Sequence, residues 1–155
     1  MRAALRFTDY DTRLAAYAVI IEEERVLLSW YNGQGRGRPG WTLPGGGVDY
    51  EETCAEGAIR EIWEETGYVA ELLDPLTVHS WTLRAHPDDP ARRPYKSLGV
   101  IFEGRVVDGS LGTVEVGGST DEARWWTLAE VAGQPRADIV DVGIGAWLSR
   151  HGRQR

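Results

Sequence analysis

The stretch from Gly45 to Gly67 leaves this chain the fewest choices. It opens on three consecutive glycines, Gly45-Gly46-Gly47, and closes on Gly67. Between them lies the one segment whose periodicity is unambiguous. Ala55, Ala58, Ile59 and Ile62 recur at i, i+3, i+4 and i+7. At 3.6 residues per turn they form one stripe, which predicts a helix from Glu51 or Glu52 to about Thr66 with Gly67 as its C-cap. A helix with a single apolar stripe must bury it against another layer.

The rest of the chain offers that layer. Leu14–Ile21 and Arg25–Trp30 read as strands joined at Glu22-Glu23-Glu24, and Trp41–Leu43 as a short strand ended by Pro44 and the glycines. Strand-like runs follow at Tyr68–Leu73, Thr77–Leu83 and Leu98–Val107, and another lies within Val114–Thr127, ending at Trp125-Trp126. Thr127 is placed to N-cap a short helix over Leu128–Val131, and Ile139–Arg150 reads as a terminal helix. Residues 1–13 are an entry segment. Tyr31–Gly40 and Arg84–Lys96 are polar loops rich in Gly or Pro. No internal repeat or linker interrupts the chain, and 155 residues suit one core. The prediction is a single α+β domain over residues 1–155 with a mixed sheet.

Composition narrows the class of function. With 42% hydrophobic and 26% charged residues, wholesale disorder is excluded. One Cys excludes an intramolecular disulfide framework and fits a reducing compartment. No apolar run approaches the ~20 residues that span a bilayer. Nor does an apolar stretch follow Met1–Leu5 as a signal peptide would require. The expected location is cytoplasmic, with no membrane partner. A formal charge of −7 argues against strong nucleic-acid binding, which needs a basic face. Small phosphorylated substrates remain compatible if a divalent cation lies between the charges.

Glu61, Glu64 and Glu65 occupy an arc of about 100° beside the apolar stripe. Acidic helix faces are usually just solvated. Here Glu61 repels Glu64 and Glu65 by about 0.2–0.5 kcal/mol each, toward the helix end where the macrodipole also disfavours negative charge. A divalent cation would remove both penalties, and carboxylates without His suit Mg²⁺ or Mn²⁺ rather than Zn²⁺. The glycine triplet lets backbone approach these carboxylates, and Gly57, one turn before Glu61, leaves space above it. Glu52 and Arg60, eight residues apart, are placed to pair and fix the entering loop.

Gly46, five residues, Glu52, seven residues, then Arg60-Glu61-Ile62-Trp63-Glu64-Glu65-Thr66-Gly67-Tyr68 resembles the Nudix box. Every fixed position matches, and the departure is mild: Tyr68 stands at the last bulky apolar position. Trp41-Thr-Leu-Pro-Gly-Gly-Gly before the box and Thr120-Asp-Glu-Ala-Arg-Trp-Trp126 after it also look like Nudix flanks. The resemblance implies the Nudix fold, an α/β/α sandwich. It also implies a hydrolase that cleaves the diphosphate bond of a nucleoside diphosphate linked to another moiety, using Mg²⁺ with Mn²⁺ as a substitute.

By the same resemblance Glu61, Glu64 and Glu65 are metal ligands, joined by the Gly45 carbonyl and by an acid outside the box. Glu122 is the choice for that acid, ahead of Glu115 and Asp121. Glu61 is also the candidate general base, while Arg60 and Glu52 are catalytic-site residues that orient. The alternative is a catalytically silent Nudix-fold sensor or nucleotide-binding domain. The isoprenoid diphosphate isomerase branch needs a reactive Cys in a setting that Cys54 does not reproduce. The resemblance also allows a homodimer, since Nudix proteins often pair. Markers of ADP-ribose and dinucleoside polyphosphate cleavage, a Pro and a Tyr after the box, are lacking in Trp81–His86, so the substrate stays open.

Other features weigh less. Gly35-Arg36-Gly37-Arg38-Pro39-Gly40 matches G-x-G-x-x-G, but Pro39 and the following strand leave no helix for a dinucleotide site to open. His79, His86 and His151 are isolated in sequence. Trp30, Tyr31 and Trp81 could stack a base, though core packing is the commoner use. Arg92, Arg93 and Lys96 form the most basic patch, either solvated or phosphate-contacting.

Overall fold

The computed structural model describes residues 1–35, 37–86 and 88–152. Arg36 of the glycine-rich loop, Pro87 of the polar loop and the last three residues of the 1–155 span lie outside them. Seven strands and three α-helices run in the order β1 (Asp11–Glu22), β2 (Arg25–Tyr31), β3 (Gly40–Thr42), β4 (Gly45–Gly47), α1 (Cys54–Thr66), β5 (Tyr68–Leu83), β6 (Tyr95–Gly109), β7 (Thr120–Thr127), α2 (Leu128–Val131) and α3 (Asp138–Gly152).

The sheet is mixed, in the order β3-β2-β1-β6-β5, with β4 added to β1 and β7 to β2. Its centre is the parallel pair β1–β6, in register from Asp11↔Tyr95 to Ile20↔Gly104. This pairing starts β1 and β6 three residues earlier than the boundaries read in the sequence. β1 bonds to β2 only at its end, Ile21↔Val26 and Glu22↔Arg25, so the two halves of the sheet splay apart toward the glycine triplet. β5 is one strand rather than two. Pro75 cannot donate to a ladder, and the register shifts around it, which an edge strand tolerates.

Alternation along β1 builds two cores. Ala16, Ala18 and Ile20 face α1, where Ala58 and Ile62 pack on them with Leu27, Ala70 and Phe102. Val19 faces the other way, with Val26, Leu28, Trp41, Leu43 and Ile101, against Val131, Ile139 and Val140 of α2 and α3. The result is the expected α/β/α sandwich. Trp30 belongs to this second core, edge-on to Trp41 at 5.3 Å. His151 also has a partner, since its ring bonds Glu103 of β6 at 2.7 Å and stacks on Trp147 at 4.0 Å.

α1 begins later than its apolar stripe suggests, because Glu52 is used by the preceding loop. Its Oε2 accepts from the Asp49 amide at 2.9 Å, and the helix is capped instead by Thr53. Thr53 Oγ1 accepts from the Glu56 amide while Glu56 Oε1 accepts from the Thr53 amide, both at 3.1 Å. Gly67, at φ 77°, ends the helix as predicted. Thr53→Ala removes this reciprocal pair and should cost about 1 kcal/mol, a fall in Tm of about 2–4 °C in thermal denaturation followed by circular dichroism.

Candidate active site

The glycine triplet is itself a strand. Gly45, Gly46 and Gly47 pair antiparallel with Tyr17, Ala16 and Ala15, which fixes their backbone beside the first turns of α1. A Cβ on Gly46 would stand 2.8 Å from Glu61 Cδ, so only glycine lets that carboxylate lie against the strand. Gly57 does not leave the open space expected above Glu61. Val48 and Glu52 close over it, at 3.2 and 3.1 Å from where its Cβ would be.

Arg60 organises the outer half of the site. Its guanidinium donates to both Glu52 oxygens, to the Gly47 carbonyl at 3.0 Å and to Glu61 Oε1 at 3.0 Å, with Glu64 at 3.4 Å. The predicted Glu52–Arg60 pair is therefore present, and it ties the entering loop to the helix. The Arg60 bonds and the Asp49 amide hold the Glu52 carboxyl down to about 2. Arg60 in turn is raised by its bond to Glu52.

Glu65 turns inward. It is 6% exposed, and its Oε2 accepts from Ser29 Oγ at 2.9 Å and from the Gly45 amide at 3.2 Å. Burial pushes its pKa up to about 8 despite these donors. Glu61 is also raised by burial, with the negative charges of Glu64 and Glu115 adding to the effect and Arg60 opposing it. Among the described residues no three His, Cys, Asp or Glu side chains yet converge as a finished metal cage. The donor set nevertheless fits a hard divalent cation. Glu61 and Glu65 are both raised by burial, and beside them Gly46 carries no Cβ.

The acids outside the box separate sharply. Glu122 is half exposed, 3.6 Å from Arg124, and strand alternation puts it with Arg124 and Trp126 on the face away from α1. Asp121 accepts from Asn32 Nδ2 at 2.8 Å, a bond between the start of β7 and the loop after β2. Glu115 is fastened beside α1, and its charge bears on Glu61. The end of α1 is laced to residues 112–115: Glu64 O accepts from the Val114 and Glu115 amides at 2.9 and 3.0 Å, and Glu65 O from Thr113 Oγ1 at 2.8 Å. Ser29, which bonds Glu65, is a further residue of the candidate site that the sequence reading missed. The one signal for Ser29 is a hydroxyl inside the apolar run Val26–Trp30. In the basic loop, Arg93 is occupied by Asp11 at 3.2 Å, so it is not free for phosphate.

A model of the NUDIX domain matches residues 11–148. Among curated proteins, one from Bacillus subtilis provisionally named an 8-oxo-dGTP diphosphatase is 41% identical over 68 residues, 44% of this chain and 43% of that protein. An RNA pyrophosphohydrolase of Cereibacter sphaeroides is 50% identical over 36 residues, 23% of this chain and 22% of that protein. The chain thus spans under half the length of these relatives. In solved structures, a NUDIX hydrolase from Nitrosomonas europaea superposes with TM-score 0.72 at 21% identity, covering 90% of both chains. A MutT NUDIX hydrolase from Burkholderia pseudomallei gives 0.70 at 23% identity, covering 88% of this chain and 98% of that one. No helix among the described residues is long and apolar enough to cross a membrane. A family model that takes in both cores, the glycine strand and every acid of the site establishes that the chain belongs to the Nudix family.

Proposed function

We propose that this protein is a metal-dependent pyrophosphohydrolase that cleaves the diphosphate bond of a nucleoside diphosphate linked to another moiety. The observation that carries the reading is the Glu61–Glu65 pair, two inward carboxylates raised by burial and set against glycine backbone. The named activities of the relatives, 8-oxo-dGTP diphosphatase and RNA pyrophosphohydrolase, point to the same class of bond. Glu61, Glu64 and Glu65, with the Gly45 carbonyl, would hold Mg²⁺, or Mn²⁺ in its place. When bound, the cation neutralises the diphosphate oxygens and acidifies the attacking water.

The chain's own residues supply the rest. Glu61 accepts the proton of that water, a role its raised pKa favours. Arg60 and Glu52 hold the loop and the Glu61 carboxylate in line. Ser29 and the Gly45 amide keep Glu65 pointed at the site.

The acid outside the box is Glu115 in this reading, in place of Glu122. Its amide is fastened to α1, and its charge acts on Glu61. Glu115→Gln should lower kcat about 10–100-fold, as loss of a group that supports a metal site does, while Glu122→Gln changes it less than about twofold. The reverse order in steady-state assays would return the role to Glu122.

The decisive experiment is product analysis over a panel of nucleoside diphosphate compounds, with Mg²⁺, with Mn²⁺ and with a chelator. Turnover that needs the cation and yields a nucleoside monophosphate is the expected result. Failure to hydrolyse any member, with cation still bound, would move the protein to the sensor class.

A further inference from the structure

β5 closes the sheet on one side, and part of its outer edge has no partner. The strand pairs with β6 alone, and no backbone group of residues 77–83 bonds anything else among the described residues. A free row of N–H and C=O groups is a template for another strand, so native edges carry charges, prolines or bulges that block one. β5 divides on this point. Its first half holds Glu71, Asp74 and Pro75, shifts register at Val69/Ala70 and on both sides of Pro75, and gives the Pro75 carbonyl to Arg150 of α3 at 3.2 Å. Its second half, Thr77-Val78-His79-Ser80-Trp81-Thr82-Leu83, runs in unbroken register from Ile101 to Tyr95 of β6. That half contains no proline, glycine, lysine, arginine or carboxylate.

Its exposed side chains are apolar where a solvated edge would be charged. Val78 is 53% exposed and Trp81 49%. On the α1 face Val78 extends the row of Ala16 and Val100, and Ser80 extends the row of Leu14 and Leu98. Leu14 is itself 41% exposed. Apolar rows that run to the rim of a sheet are completed by a strand laid alongside.

The flanking charges say which strand. Asp74 and Arg84 stand on either side of this half, each five residues from His79. Glu71 is held by Arg105, and Glu103 by His151 and Arg150, whereas Asp74 holds no cation among the described residues. The Arg84 guanidinium meets only the Ala3 carbonyl, at 3.0 Å, and no carboxylate among the described residues. A segment that is neutral along its middle, negative before it and positive after it is complementary to its own antiparallel copy.

We propose that the occupant of this edge is a second copy of the chain, residues 77–83 of the two copies pairing antiparallel about His79 to join both sheets into one. Asp74 of each copy then meets the partner's Arg84, once at each end of the junction. Ser80 lies beside the partner's Val78, so the apolar rows continue from one copy into the other. The irregularity at Pro75 displaces the charged meeting by about one residue, within reach of an arginine side chain. None of this depends on the hydrolase reading.

The test is sedimentation of the full chain from about 1 to 300 μM, a range that suits a contact at the small end of specific interfaces. It is repeated for Val78→Lys, Asp74→Arg, Arg84→Asp and the double variant Asp74→Arg/Arg84→Asp, with thermal melts to show that each is folded. The wild type should pass from monomer to dimer over that range, and exchange of the amides of residues 77–83 with deuterium should slow as it does. Val78→Lys should weaken the dimer at least about tenfold, because lysine is a charge that edge strands use against pairing. Each single reversal should weaken it about tenfold, since like charges then meet at both ends, and the double variant should recover most of that loss. Asp74 and Arg84 are exposed, so the reversals decide the matter even if Val78→Lys melts early. A wild type that stays monomeric throughout overturns the proposal, including one whose edge takes up a strand of another protein. So does a dimer that the reversals leave unchanged, or one that the double variant fails to restore.

Discussion

Glu65→Gln should lower turnover by about 10²–10⁴-fold, the range for removing a positioned ionisable group from a reaction centre, and at the same time make the protein more stable at pH 8. The two effects share one cause. Glu65 is a buried carboxyl raised to about 8, whereas an unfolded Glu titrates near its model value of 4.5. Between those values the unfolded chain has released a proton that the folded one retains. The part of the stability that depends on Glu65 is therefore fully present below pH 4.5 and is lost as pH rises to about 8. Glutamine keeps an oxygen to accept from Ser29 and the Gly45 amide, but it has no charge to desolvate. In chelator, wild-type Tm should decline from pH 5 to pH 8 while the variant's slope is shallower. The remaining slope belongs to Glu61, which is raised in the same direction. Adding Mg²⁺ at pH 8 should raise the wild-type Tm, since a ligand of the folded state stabilises it, and should do far less for the variant. A variant that loses activity and stability together would show that Glu65 serves the core rather than the reaction.

Two adjacent glycines should fail in opposite ways. A Cβ at Gly45 would drive into the Ala16 carbonyl and stand 2.6 Å from Tyr17 Cα, at a φ of 144° that side chains rarely adopt. Both neighbours are backbone of the central strand and cannot yield. Gly45→Ala should cost about 3–5 kcal/mol, the high end for point substitutions, and lower Tm by roughly 10 °C or more. At Gly46 the added methyl meets the Glu61 carboxylate instead, which can rotate away. Gly46→Ala should stay within a few degrees of the wild-type Tm. Its turnover should fall about 10²-fold, because a displacement near 1 Å at a reacting group costs that much. Thermal melts and single-substrate kinetics on the pair separate a fold glycine from a site glycine. Equal loss of stability in both would mean that Glu61 is as rigidly held as the strand.

The part of the site written within one helix was legible. Glu61, Glu64 and Glu65 share an arc because helical geometry is local, and Glu52 meets Arg60 because eight residues bring the loop back over two turns. What came from other strands was not. Ser29 reaches Glu65 only because β2 lies beside β7 with its odd residues toward α1, a register set by tertiary pairing. Glu122 was favoured over Glu115 for its place beside the Trp125-Trp126 strand. Strand alternation sets its side chain beside Arg124, while hydrogen bonds from the 112–115 segment fasten the Glu115 backbone to the helix end, neither of which the sequence displays. The same limit explains the boundaries. Gly45–Gly47 reads in the sequence as the end of a strand because glycine disfavours strands, yet the close approach to Glu61 and Tyr17 overrides propensity.

The parallel pairing of β1 with β6 has a consequence in time. β1 is central, yet its main partner β6 comes 84 residues later along the chain, from Asp11 to Tyr95, so the contact closes a loop of more than half the sequence. Such closures are slow, whereas the antiparallel β5–β6 ribbon can form early from neighbouring residues. On a ribosome the first strand must wait for the later ones. The glycine strand docks on β1 and α1 docks on both, so the candidate site should be held firmly only once β1 is locked into the sheet by β6. A partly folded chain of this kind would carry secondary structure and no activity, and the return of activity on refolding would lag behind the return of its circular dichroism.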